Sequence, residues 1–235
     1  MDFLLHRLRG RCYSNAEKGN QAVTTQRCRV GVLASGRGSN FRAIAESCLP
    51  RDFPAEVACL VTDNPSAHAV AVAEELGISW HSVDAGEKRG RLREGAEEAI
   101  VGLLEAARVD LVFLAGFMRI LRGPLLARYA GRIMNIHPSL LPSFKGLRAQ
   151  RQALEYGARV TGCTVHFVDA SVDGGPIILQ AAVPVLDGDN VETLSARVLE
   201  EEHRIVARAV ALFARGTLRI EGRRVLGVDG ATKGA

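Results

Sequence analysis

Two polar side chains at the end of a predicted strand offer the first chemistry in the sequence. Asn135 and His137 lie in the stretch RIMNIHPSLLPSFKG, and a proline-rich loop follows them at once. Residues two apart on an extended strand point to the same face, so both side chains can reach one small volume. An amide N–H and an imidazolium N–H that converge there would form a pair of donors for a developing oxyanion. A polar histidine taken alone is more often only a hydrogen-bonded structural residue.

An aspartate elsewhere in the chain favours the catalytic interpretation of this pair. Asp173 lies in the stretch SVDGGPI, where two glycines and a proline predict a fixed turn between strands. A carboxylate on such a turn can pair with an imidazole and raise the pKa of that imidazole. Whether Asp173 meets His137 depends on the fold.

A glycine-containing loop, ASGRGSN, joins the first predicted strand to a helix. Glycines let the backbone approach a ligand, and a helix N-terminus offers unpaired N–H groups to a phosphate. We expect Gly36, Gly38, Ser39 and Asn40 to form this cradle. Asp63 could imitate a ribose-binding acid, but the third glycine of the dinucleotide fingerprint is missing, so a mononucleotide phosphate fits better than NAD. The alternative is a plain turn capped by Ser39 or Asn40.

A third segment, LAGFMRILRGP, leaves a strand through a glycine and then presents apolar residues. We expect Phe117, Met118, Ile120 and Leu121 to be exposed there. Apolar side chains beside free backbone polar groups suit a flat heteroaromatic ligand that binds the main chain. Such a stretch is more often simply core.

These segments must be positioned by elements that alternate along the chain from residue 28 onward. Short β-rich apolar runs predict strands, and apolar residues at three- and four-residue spacing predict helices. The predicted strands are CRVGVLA, AEVACLVT, DLVFLAG, GRIMNIH, VTGCTVHFV and PIILQAAVPV, and the predicted helices are NFRAIAESCL, AHAVAVAEELG, RLREGAEEAIVGLLEAARV and VETLSARVLEEEHRIVARAVALFARG.

This order predicts a Rossmann-like α/β fold, with a mostly parallel sheet covered by helices on both faces. Only DASVDGG separates the last two long strands, so we expect an antiparallel addition near the C-terminus. A terminal hairpin in LRIEGRRVLG should turn at Glu221 and Gly222. Ligands of open sheets bind beyond the carboxyl ends of the strands, where the segments ASGRGSN, AGFMRIL and NIHPSLLP should share one edge.

Composition narrows the classes of function. With 235 residues and 47% hydrophobic content the chain can bury one main core, and no apolar run is long enough to cross a bilayer. Five scattered cysteines without a C-x-x-C pair argue against a disulfide framework and favour a reducing cytosol. Residues 1–29 account for the whole net charge of +4, so the rest of the chain holds 24 basic and 24 acidic residues. This balance argues against nucleic acid as a partner. His166 and His203 lack metal-ligand spacing, and no G-x-S-x-G elbow is present, so neither a metalloenzyme nor a serine hydrolase is supported.

The segments GVLASGRGSNFRAI, LVFLAGFMRIL, NIHPSLLPSFKG, GCTVHFVD, VDGGPIILQ and ARVLEEEH resemble the phosphoribosylglycinamide formyltransferase family, in order and spacing. The resemblance implies transfer of a formyl group from the co-substrate 10-formyltetrahydrofolate to glycinamide ribonucleotide in purine synthesis, without a metal. It implies that Asn135, His137 and Asp173 are catalytic. It also implies phosphate binding by Gly38, Ser39 and Asn40, ribose binding by Glu202, and folate binding by Arg91, Met118, Arg119, Ile120, Leu121 and Asn135.

The sequence departs from the family at a few positions, and rival families share parts of the pattern. Arg148 and Gln150 stand where the family often has histidines, and Leu199 stands where it often has Lys or Gln. Formyltetrahydrofolate deformylase has the same set of Asn, His and Asp residues but carries a regulatory domain N-terminal to the catalytic one. Methionyl-tRNA formyltransferase is similar in its first half but has a further C-terminal domain. A nucleotide-binding module without catalysis would not need all three polar residues.

The resemblance also defines the expected domain organisation. We expect a basic, disordered leader over residues 1–27, for which a start codon assigned too early and a transit peptide are the alternatives. A catalytic domain should follow over 28–228 and a tail over 229–235. The expected location is the cytoplasm, with two small-molecule substrates, no membrane or nucleic-acid partner, and a monomeric or homodimeric state.

Overall fold

The computed structural model describes residues 26–86 and 90–228. The expected tail lies outside these residues, as does the expected leader up to residue 25. Within the described ranges the elements are β1 (Cys28–Leu33), α1 (Ser39–Ser47), β2 (Ala55–Thr62), α2 (His68–Glu75), β3 (Trp80–Ser82), β4 (Gly90–Arg91), α3 (Ala96–Ala106), β5 (Leu111–Leu114), β6 (Arg119–Ile120), α4 (Pro124–Arg128), β7 (Ile133–His137), α5 (Ala149–Tyr156), β8 (Val160–Phe167), β9 (Ile177–Pro184), α6 (Val191–Ala214), β10 (Arg219–Glu221) and β11 (Arg224–Leu226).

The main sheet has the strand order β10-β11-β9-β8-β7-β5-β1-β2-β3. The five strands from β7 to β3 run parallel, as predicted for strands joined by helical crossovers. The predicted antiparallel addition is confirmed, because β8 pairs antiparallel with β9. It is larger than expected, since β8 also pairs antiparallel with β7. Strand order reverses at β1 and β5, so the loops that leave these two strands flank the crevice where ligands of such folds bind.

Helices cover both faces of the sheet and create two cores. Residues of α1, α2 and α6 pack against one face, and residues of α3 and α4 pack against the other. The strands alternate between the cores. In β7, Met134 and Ile136 face the first core and Ile133 faces the second. Asn135 and His137 therefore share the face of Ile133, as the two-residue period predicts.

Several element boundaries differ from the prediction. The helix predicted to begin at Arg91 begins at Ala96, because Arg91 belongs to β4 and Gly95 forms the N-cap with φ of 79°. The hairpin turn is one residue later than predicted, because Glu221 pairs with Arg224. Five elements that the periodicity did not predict, β3, β4, β6, α4 and α5, have between two and eight residues. No helix in residues 26–86 and 90–228 has the length and apolar content that a membrane span needs.

Candidate active site

The strands that carry the candidate site are in register at one row of residues. Leu33 of β1, Leu114 of β5, Asn135 of β7 and His166 of β8 are register partners across four adjacent strands. Neighbouring strands lie about 4.8 Å apart, so Asn135 lies about 10 Å from Leu33, where the glycine loop begins. The predicted common edge is therefore confirmed.

The polar residues predicted for catalysis meet at this row. Nδ1 of His137 lies 3.4 Å from Oδ2 of Asp173, and both side chains are nearly buried. Nδ2 of Asn135 lies 3.2 Å from Nε2 of His166, which in turn lies 3.8 Å from Oδ1 of Asp173. The cluster thus contains Asn135, His137 and Asp173, joined through a fourth polar residue.

His166 is the residue of this polar cluster to which the sequence pattern assigned no role. Its Nδ1 lies 2.8 Å from the carbonyl oxygen of Phe167, which can only accept, so Nδ1 carries a proton. The amide nitrogen of Asn135 can only donate, so Nε2 of His166 accepts, and burial lowers the pKa of His166, in agreement with a neutral ring. The amide N–H of Asn135 therefore donates to Nε2, and this bond orients the Asn135 amide. The available signal was an imidazole in the strand VTGCTVHFV, whose other polar side chains are two threonines.

The turn that carries Asp173 is fixed from two directions. Asp173 has φ of 46°, a left-handed conformation that few non-glycine residues adopt. The N–H of Gly146, from the loop after β7, donates to Oδ2 of Asp173 at 2.8 Å. Arg223 of the C-terminal hairpin donates to the main-chain oxygen of the residue after Asp173 at 2.9 Å. Gly175 is required for close packing, since a Cβ there would lie 1.8 Å from the carbonyl oxygen of Phe167.

Both ring nitrogens of His137 face oxygen atoms. Besides the Asp173 carboxylate at Nδ1, the main-chain oxygen of Phe144 lies 2.9 Å from Nε2. An imidazolium could donate to both acceptors. Phe144 belongs to the loop after β7, which is anchored on β8 because the Thr164 hydroxyl donates to the Ser139 carbonyl at 2.7 Å.

The glycine loop leads into α1 without a side-chain cap, so the alternative of a turn capped by Ser39 or Asn40 is wrong. Gly38 is the N-cap, with φ of 74°, and a Cβ there would lie 2.7 Å from the Cα of Ala69. This glycine therefore permits close packing against α2. Gly36 is exposed, and a Cβ there would meet no atom within 4 Å. The first turn of α1 leaves N–H groups without helical acceptors, as an anion site requires.

Asn40 points across to α6, where its Nδ2 donates to Oε2 of Glu202 at 2.7 Å. Glu202 is buried, with 7% of its surface exposed. Burial raises the pKa of this carboxyl, while the bond from Asn40 and the positive charge of Arg37 oppose that shift. The ribose-binding candidate thus lies next to the phosphate-binding candidate.

The folate-binding candidates lie on a short strand pair at the same edge. β6 pairs with β4 in parallel, with Arg119 opposite Gly90 and Ile120 opposite Arg91. Met118 is 56% exposed and Ile120 is 38% exposed. The expected exposure of Phe117 and Leu121 is wrong, because both side chains pack into the second core.

Two polar side chains that the sequence analysis did not single out hold this segment. The hydroxyl of Ser35 accepts from the N–H of Met118 at 2.9 Å. The buried carboxylate of Glu97 accepts from the N–H groups of Arg122 and Gly123, each at 2.9 Å. Both contacts join distant parts of the chain, so no local pattern could have indicated them.

Comparisons with known proteins identify the family of the chain. The family model described as formyl transferase matches residues 28–210. The trifunctional purine biosynthetic protein adenosine-3 of Gallus gallus is 46% identical over 84% of this chain, and the chain spans only 20% of that relative's length. The phosphoribosylglycinamide formyltransferase of Escherichia coli (strain K12) is 41% identical over 81% of this chain and 89% of its own length.

Solved structures of this family and of a related enzyme share the fold. The glycinamide ribonucleotide transformylase 1 from Symbiobacterium toebii has a TM-score of 0.83 and 50% identity, and the match covers 90% of this chain and 100% of that one. A formyltetrahydrofolate deformylase from Pseudomonas syringae pv. tomato str. DC3000 has a TM-score of 0.79 at 26% identity, with 87% and 67% covered. The chain belongs to the phosphoribosylglycinamide formyltransferase family of formyl transferases.

Proposed function

We propose that the protein transfers a formyl group from 10-formyltetrahydrofolate to the amine of glycinamide ribonucleotide in purine biosynthesis. The observation that carries the proposal is the convergence of Asn135, His137 and Asp173 at the edge where the glycine loop also begins. The high identity to bacterial phosphoribosylglycinamide formyltransferases supports this choice of substrates. The proposed catalytic domain spans residues 28–228.

In this mechanism the substrate amine attacks the formyl carbon directly. A bond forms between the amine nitrogen and this carbon, negative charge builds on the formyl oxygen, and the bond from carbon to the folate nitrogen then breaks. The attacking amine loses a proton and the departing folate nitrogen gains one. Asn135 and protonated His137 would donate to the oxyanion, each contributing about 3 kcal/mol of transition-state stabilisation. His137 would assist the proton transfer, and Asp173 would keep its ring oriented and charged.

The observed contacts define what must change when substrate binds. One N–H of Asn135 is used by His166, which leaves the second for the formyl oxygen. The Nε2 of His137 faces the carbonyl of Phe144, so the formyl oxygen must replace this carbonyl as its acceptor. We infer that the loop after β7 shifts when both substrates are bound.

The ribonucleotide would bind between α1 and α6. Gly38, Ser39 and Asn40 would hold the phosphate at the helix N-terminus, where main-chain N–H groups and the helix dipole favour an anion. Glu202 would accept from the ribose hydroxyls. The hydrogen bond from Asn40 to Glu202 supports this arrangement, because it brings the two parts of the proposed ribonucleotide site together.

The folate would bind along the edge of β6 that faces away from β4. Its pterin would bind the main chain of Met118, Arg119, Ile120 and Leu121, with Arg91 beside it and Asn135 towards the formyl group. The exposed side chains of Met118 and Ile120 support an apolar contact with a flat ring. Since Leu121 is buried, its contribution would come from the main chain alone.

The remaining partners follow from the same proposal. The two substrates, glycinamide ribonucleotide and 10-formyltetrahydrofolate, are small molecules. The protein could carry out the reaction as a monomer or as a homodimer. The described cysteines Cys28, Cys48, Cys59 and Cys163 are buried free thiols, which supports a reducing cytoplasm as the place of action.

The proposal is tested by assaying formyl transfer to glycinamide ribonucleotide and, in parallel, formate release without the ribonucleotide. We expect transfer that requires the ribonucleotide and that is lost in His137→Ala and Asp173→Ala variants whose thermal unfolding shows intact folding. Formate release without an acceptor would indicate the deformylase reaction instead. Transfer that survives both substitutions would refute the catalytic assignment.

A further inference from the structure

Asp63, which could imitate a ribose-binding acid, has a different partner in the fold. It follows β2 directly, and its Oδ2 lies 2.6 Å from Nε of Arg119 in β6. Both side chains are shielded from solvent, with 6% and 14% of their surfaces exposed. The carboxylate thus forms an ion pair with a residue of the proposed folate segment.

Arg119 extends this contact to a third segment. Its Nη1 donates to the main-chain oxygen of Arg91 at 3.0 Å, in addition to the strand pairing between β4 and β6. A guanidinium presents its donors in a fixed planar fork, so holding one side of the fork also orients the other. Asp63 therefore fixes how β4 and β6 lie beside the end of β2.

The ion pair is poorly suited to a purely stabilising role. Burying two charges costs desolvation energy that their attraction often only offsets. In addition, Oδ1 of Asp63 is buried without a hydrogen-bond partner among the described residues. A second Asp–Arg pair, Asp189 with Arg197, shows the contrast, because that carboxylate also accepts from the N–H of Leu186 and the hydroxyl of Thr193.

We propose that Asp63 is a positioning residue for folate binding. Through Arg119 it holds the main chain from Met118 to Leu121 in the conformation that presents the edge of β6 opposite β4 to the pterin ring. This inference rests on the proposed function, since it concerns the folate part of that site. The reacting groups lie on β7 and the Asp173 turn and do not contact Asp63, so its loss should weaken folate binding and leave the chemical step unchanged.

The test compares Asp63→Asn with the matched control Asp189→Asn, which removes the charge from the other Asp–Arg pair. For both variants and the wild type, we would measure KM for each substrate, kcat, the melting temperature and the Kd of tetrahydrofolate by calorimetry. We expect Asp63→Asn to raise KM for 10-formyltetrahydrofolate and the Kd about tenfold, equivalent to about 1.4 kcal/mol. KM for the ribonucleotide and kcat should stay within about twofold of the wild type. Asp189→Asn should change only the melting temperature.

The outcomes separate the inference from the proposed function. If the wild type transfers formyl groups but folate KM and Kd in Asp63→Asn match those of the control, the positioning role is wrong and the function stands. Equal increases in KM for both substrates, or a fall in kcat alone, would also overturn the positioning role. If the wild type does not transfer formyl groups to the ribonucleotide, the proposed function fails first. If Asp63→Asn does not fold, Arg119→Lys is the second variant. A lysine keeps the positive charge but is too short to contact the main-chain oxygen of Arg91. This variant should raise KM for 10-formyltetrahydrofolate and leave KM for the ribonucleotide unchanged.

Discussion

The Asp173→Asn substitution isolates the charge of the carboxylate from its shape. An amide oxygen in place of Oδ2 can still accept from the N–H of Gly146 and face Nδ1 of His137. The amide nitrogen then takes the place of Oδ1, which lies 3.8 Å from Nε2 of His166 and makes no hydrogen bond to it. The substitution should therefore leave the turn intact while removing the negative charge beside His137.

The expected magnitude follows from the distance between the two groups. Unit charges 3.4 Å apart attract each other by about 5 kcal/mol at an effective dielectric constant of about 20. Since about 1.4 kcal/mol corresponds to a tenfold change in rate, we expect kcat to fall on the order of 10³-fold. KM for both substrates should change little, because Asp173 is not part of either proposed binding segment.

The assay is steady-state formyl transfer, with thermal unfolding measured on the same samples. Asp169→Asn is the matched control, because Asp169 lies on the same turn but accepts from Ser171 and has no contact with His137. The control should retain nearly full activity. A kcat for Asp173→Asn within tenfold of the wild type would refute the electrostatic role of this carboxylate.

Three further substitutions test the stability and geometry of the site. Burial raises the pKa of Glu202, so the ionised carboxylate lowers the stability of the fold at high pH. Glu202→Gln should therefore raise the melting temperature at about pH 8 and lose this advantage at about pH 4. The same variant should raise KM for the ribonucleotide about tenfold. His166→Leu removes the acceptor that orients Asn135, so kcat should fall by about 10–100-fold while circular dichroism stays native, and an unchanged kcat would contradict the positioning role. Gly175→Ala places a Cβ 1.8 Å from a main-chain oxygen and should lower the free energy of unfolding by more than about 2 kcal/mol in denaturant titrations. Gly188→Ala is the control, because a Cβ there has no atom within 4 Å, and it should leave the free energy of unfolding nearly unchanged.

The long strands and helices could be predicted because their patterns are strong. β1, β2 and β8 are apolar runs rich in β-branched residues, and α6 has an apolar stripe over 24 residues. By contrast, α5 has the short and largely polar sequence AQRQALEY, in which the fully buried residues are two small alanines, Ala149 and Ala153, so the segment was not distinguished from a loop. The antiparallel pairing of β7 with β8 could not be predicted either, because the connection between them is long enough for either direction.

Different parts of the candidate site were predictable to different extents. That Asn135 and His137 share a face follows from strand geometry alone. The contact between His137 and Asp173 does not follow from strand order, because β8 runs antiparallel to β7 and ends opposite Met134. The turn that carries Asp173 must therefore extend back along β7 to reach His137. The burial of Phe117 and Leu121 depends on α3 and α4 covering that face, which periodicity within a single segment does not indicate.

The most direct test of the central claim is a crystal structure with glycinamide ribonucleotide and a formyl-folate analogue that cannot transfer its formyl group. We predict that Nδ2 of Asn135 and Nε2 of His137 both lie within about 3.2 Å of the formyl oxygen, with the Phe144 carbonyl displaced from His137. A formyl oxygen that contacts neither side chain, with His137 still bonded to Phe144, would contradict the account.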